Sequence, residues 1–112
     1  MLFRSEEIDA DGVRMTLDVF LAETEQRLEV LRKLSPATDR KRIRDEAHTL
    51  KGASGTFALR QVQELSKTLE QAAEEVTPEA YTDLVDRIEA SFAVARIEVE
   101  AALASAISAG AK

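Results

Sequence analysis

Only two prolines interrupt this chain of 112 residues, and both stand where a helix would begin. Proline suits a first helical turn, where its missing N–H costs nothing, and it disfavours helix in the residue before it. Pro36 and Pro78 therefore read as starts. Between the breaks, apolar residues recur at spacings of three and four, the period of one helix face. No useful length alternates β-branched residues as a strand does. The expected class is all-α.

Leu2, Phe3 and Ile8 form a short apolar entry, read as an N-terminal helical segment. Asp9 or Asp11 is placed to cap the helix that follows. Its stripe is Val13, Leu17, Phe20, Leu21, Thr24, Leu28 and Leu31, running to about Leu34. After Ser35-Pro36-Ala37, Thr38 or Asp39 is placed to cap a second helix with the stripe Ile43, Ala47, Leu50 and Ser54. Gly55 marks its expected end, and Phe57 is expected to point inward. A third helix is expected from Leu59 or Arg60 to Val76, on Val62, Leu65, Leu69, Ala72 or Ala73, and Val76. Thr77-Pro78-Glu79 supplies cap, first helical residue and first-turn acid for a fourth. That helix carries Tyr81, Leu84, Val85, Ile88, Phe92, Ala95, Val99, Leu103 and Ile107 to about Gly110, so its tail should overhang. Four amphipathic helices with short loops predict one domain over residues 1–112, an antiparallel up-down four-helix bundle.

Composition removes whole classes of function. Without cysteine there are no disulfides, thiolate metal sites or cysteine nucleophiles. A net charge of −6 makes nucleic acid and anionic membranes poor partners. No apolar run approaches the roughly 20 residues that span a bilayer. Met1-Leu2-Phe3-Arg4-Ser5-Glu6-Glu7 does not read as a signal peptide, so the expected location is cytoplasmic. A single histidine and acids spread along helix surfaces offer no metal cage, and no Gly-rich nucleotide loop is present, so neither metal nor ATP is expected as a cofactor.

The single histidine, His48, lies in Ala47-His48-Thr49-Leu50-Lys51-Gly52-Ala53-Ser54-Gly55. On a helical wheel it stands about 100° from the core residue Ala47, on the flank of the buried stripe. Arg44, Lys51 and Gly52 share its surface, and Gly55 continues the patch. A neutral imidazole is nucleophilic near pH 7, because its reference pKa is about 6.5. Lys51 can neutralise phosphoryl oxygens as a point charge. A glycine inside a helix costs about 1 kcal/mol relative to alanine, so Gly52 and Gly55 call for a reason, and clearance for a docking protein is one.

The run Ala47 to Ser54 resembles the signature of histidine-containing phosphotransfer (HPt) domains. Phe57-Ala58-Leu59, the Leu65 to Leu69-Glu70 stretch and Phe20-Leu21-Ala22-Glu23-Thr24 extend the likeness over roughly Leu17 to Ala73. The run is also similar to the phosphotransfer domain of chemotaxis histidine kinases, whose motif often continues with a pair like Thr56-Phe57. The resemblance implies that His48 carries a phosphoryl group on Nε2, that Lys51 contacts it, and that Gly52 lets a receiver domain dock. It implies that Glu70 accepts from Nδ1–H. Ala58 stands where the family usually has glycine, which puts the shape of the helix end in question. Lys67, one turn before Glu70, would add positive charge.

The expected reaction is reversible exchange between His48 and receiver-domain aspartates, with positioning and positive charge supplying most of the catalysis. Mg²⁺ would belong to the receiver, and the chain is a covalent carrier. Docking is expected on Arg44, Lys51, Gly52, Gly55, Gln63 and Lys67. The expected partners are receiver domains of response regulators and hybrid histidine kinases. Two other readings stay open: a phosphotransfer domain of a chemotaxis-type or hybrid kinase, phosphorylated by a kinase domain, and a helical adaptor without phosphoryl chemistry. The absence of a kinase or receiver segment favours a free-standing shuttle. Few apolar residues beyond Val99 favour a monomer.

Overall fold

A computed structural model describes residues 10–110 of the chain. They form α1 (Ala10–Lys33), α2 (Arg40–Thr56), α3 (Arg60–Ala72) and α4 (Pro78–Gly110), with no strand among the described residues. The short N-terminal segment and the Asp9 cap lie outside the described residues. Asp11 lies inside α1, not ahead of it. The apolar stripes meet in one core, in which Leu31, Ile43, Leu50, Leu69 and Ile88 are fully buried. The buried residues of α2 are the four of its predicted stripe, Ile43, Ala47, Leu50 and Ser54.

Each helix packs on two neighbours, in the ring order α1, α2, α3, α4, and α4 closes against α1. Short connections make consecutive helices antiparallel. The α2–α3 edge is therefore opposite the α4–α1 edge. The helices differ in length: α4 has 33 residues, about 50 Å, whereas α2 has 17 and α3 has 13. The molecule measures 54 × 28 × 19 Å, its long axis set by α4. Phe57, in the α2–α3 turn, stacks on Phe20 with ring centroids 4.1 Å apart. The part of α1 before Phe20 and the C-terminal part of α4 thus extend past the hairpin. That corrects one core assignment: Val13 is 38% exposed, because the hairpin stops short of it.

The connections hold further corrections. Thr77 caps α4 as expected, its Oγ1 accepting from the Ala80 N–H at 3.1 Å. Asp39 occupies the N-cap position of α2, but neither it nor Thr38 caps the helix by its side chain. The Asp39 carboxylate turns back to accept from the Ser35 N–H (2.9 Å) and the Thr38 hydroxyl (3.1 Å). α3 ends at Ala72, four residues short of Val76. The Arg40 guanidinium donates to the carbonyls of Ala73 (2.9 Å) and Val76 (3.2 Å) and holds them in a turn. Val76 still reaches the core.

α2 passes through Gly55 and ends at Thr56. Two bonds close it: Leu59 N–H to Ser54 O (2.9 Å) and Ala58 N–H to Gly55 O (3.1 Å). This is the paired closure that places the residue between them in the left-handed region, a position glycine usually fills. Here that residue is Ala58, with φ 60°.

The α4–α1 edge is tied by a phenol. The Tyr81 hydroxyl donates to the main-chain carbonyl of Leu31, and burial pushes its pKa up to about 12. Arg32 bonds Asp86 (2.8 Å) and Glu89 across the same edge, and Arg96 bonds Glu25.

Candidate functional site

Small buried residues, Ala47 and Ser54 on α2, Ser66 on α3 and Ala73 just past its end, let the two backbones approach closely. One step round α2 from buried Ala47, the His48 side chain is 67% exposed. Glu70 reaches it from α3. His48 Nδ1 lies 2.8 Å from Glu70 Oε2, and Lys51 Nζ lies 2.8 Å from Glu70 Oε1. One carboxylate thus receives both neighbours, one on each oxygen. The Glu70 side chain is 21% exposed, which limits the water competing for it.

The electrostatics fix the proton. Hydrogen bonds first from Lys51 and then from His48 hold the Glu70 carboxyl below the usual carboxylate range. An ionised carboxylate only accepts, so the His48 Nδ1 facing it must carry the hydrogen. In the neutral ring, Nε2 then holds the lone pair and has no hydrogen-bond partner among the described residues. Gly52, one turn further on, is exposed, and a Cβ built there would meet nothing within 4 Å. Internal packing does not explain this glycine.

The chain matches the family model of the Hpt domain over residues 15–106. It belongs to the Hpt-domain family. No match is found among curated proteins or solved structures. Membership indicates histidine phosphotransfer in a phosphorelay, and Hpt domains generally interact with receiver domains.

The rest of this Hpt domain's candidate surface lies around the His48, Lys51 and Glu70 trio. Arg44 shares the α2–α3 edge and pairs with Glu74 at 3.8 Å. Sequence reading missed Glu74. Its spacing of four from Glu70 was the available signal, since it repeats the same face of α3. A Cβ on Gly55 would come within 2.7 Å of Gln63 Nε2, the far end of a flexible side chain that would have to turn aside. Lys67 is exposed on α3 and, among the described residues, joins neither Glu70 nor any other ion pair. Among the described residues no group of three or more histidines or acids is arranged to hold a metal ion. No described helix is long and apolar enough to cross a membrane.

Proposed function

We propose that His48 is the phosphoryl-accepting residue of this Hpt domain, exchanging the group with receiver-domain aspartates through Nε2. The observation that supports it is the Glu70 bond to Nδ1, which leaves the other nitrogen as the nucleophile on an open ring. His48 is also the chain's one histidine. In the forward step Nε2 attacks phosphorus, an N–P bond forms, and the P–O bond to the receiver's aspartate breaks. Aspartate leaves as a carboxylate. The imidazole becomes a cation that keeps its Nδ1 proton, and ionised Glu70 stabilises that charge.

Lys51 has three donors on one ammonium, so it can keep Glu70 and turn an N–H toward a phosphoryl oxygen. Glu70 is a positioning residue for the ring. Arg44, Gly52, Gly55, Gln63 and Lys67 frame the docking surface for receivers of response regulators and hybrid kinases. Gly52 gives clearance where a side chain would project. The reading takes residues 1–112 as one cytoplasmic domain acting as a monomer.

The test is transfer from a receiver carrying a radiolabelled aspartyl phosphate to the wild type and to His48→Gln. Label on the wild type alone, lost in acid and stable in base, is the expected result. Label on His48→Gln, or none on the wild type from a panel of phosphorylated receivers, would overturn it.

A further inference from the structure

The edge opposite His48 carries features that phosphotransfer does not use. Between α1 and α4 lies an open groove of about 610 Å³ with Leu28 and Phe92 at its floor and Ile97 at its lip. Ile97 is 70% exposed, an apolar side chain left uncovered beside a buried apolar floor.

Charge says what would cover it. The groove is lined by three carboxylates, Glu25, Glu29 and Glu89, against one guanidinium, Arg96. Arg96 is already bonded to Glu25 and Glu100. Glu89 is held by Arg32, whereas Glu29 makes no ion pair among the described residues. A second copy of this chain, with a net charge of −6, would bring one acidic rim against another. A groove between two antiparallel helices takes a helix, whose residues at spacings of three and four enter the apolar floor.

We propose that the α1–α4 groove is a second docking surface, for a cationic amphipathic helix of a partner protein. α4–α1 and α2–α3 are opposite edges of the ring, so such a partner leaves His48 open to a receiver. The domain can then be held by one protein while it exchanges phosphoryl groups with another. The docking claim does not depend on the phosphotransfer reading.

The experiment uses the full chain, isotopically labelled, and an 18-residue helical peptide with leucine on one face and lysine on its flanks. Amide shifts are expected at Leu28, Phe92, Ala93 and Ile97, with none around His48. Ile97→Ser keeps the fold, since the side chain is mostly in solvent, and should weaken binding about tenfold, the share of one buried apolar side chain. Glu29→Lys, and a glutamine-for-lysine peptide, should also weaken it. Shifts centred on α2 and α3, or equal binding by Ile97→Ser, would overturn the proposal. So would a concentration-dependent dimer that Ile97→Ser abolishes, which would give the groove to a second copy.

Discussion

The α2–α3 and α4–α1 edges of this bundle are built by different means. α2 carries five basic and two acidic residues, a net +3, whereas α4 carries six acidic and two basic, a net −4. The α2–α3 edge buries small side chains and places its polar trio, His48, Lys51 and Glu70, at the surface. The α4–α1 edge buries Leu28, Leu31, Tyr81, Ile88 and Phe92, and fastens a phenol to the main chain. Exposed ion pairs contribute little to stability, while buried apolar volume contributes most of it. All four helices share the apolar core, Ile43, Leu50 and Leu69 included, so the exposed trio can change without threatening the fold.

The largest expected effect is in the core beneath the α4–α1 edge. Ile88→Ala should destabilise by about 3 kcal/mol, since the side chain is fully buried. His48→Gln should stay within about 0.5 kcal/mol of the wild type. Urea unfolding of both variants checks this, and a similar loss from each would break the comparison. Gly52→Ala sharpens it from the other side. With open space for the added methyl, the helix should gain up to about 1 kcal/mol, while phosphoryl uptake from a receiver slows. A gain in stability together with unchanged uptake would remove the docking role of this glycine.

A smaller gain is expected at the end of α2. Ala58→Gly relieves a left-handed alanine and should stabilise by about 0.5–1 kcal/mol, after the extra freedom of glycine in the unfolded chain. Thermal unfolding measures it, and transfer should not change. The least effect on stability comes with a clear effect on titration. The Glu70 carboxyl is depressed, so the interaction it supplies is complete above the ordinary glutamate range and is lost as pH falls through the lowered value. Lys51→Met removes the largest cause and should move the Glu70 titration upward, as read from its side-chain carbon resonance. An unmoved midpoint would detach Lys51 from the trio.

How much of this was legible in the sequence depended on whether one helix or two decided it. The α2 stripe follows from helical period alone, and all four of its positions are buried. Thr77-Pro78-Glu79 is a local signal and starts α4 where expected. Val13 failed because its exposure depends on how far α2 and α3 extend beside it. The end of α3 failed because Arg40, more than thirty residues earlier, holds the carbonyls that turn the chain. His48 and Lys51 were readable from their spacing on one helix. Glu70 came only through family resemblance, since no spacing within α2 reveals what α3 brings beside it. Glu74 escaped for the same reason.

The tie between Tyr81 and Leu31 has a practical consequence. The chain holds one tyrosine and no tryptophan, so its phenolic absorbance and emission come from the α4–α1 edge alone. It also holds one histidine, so the imidazole proton resonances come from the α2–α3 edge alone. The unmodified protein thus contains two native reporters, one optical and one magnetic, and events on the two edges can be timed separately in one sample.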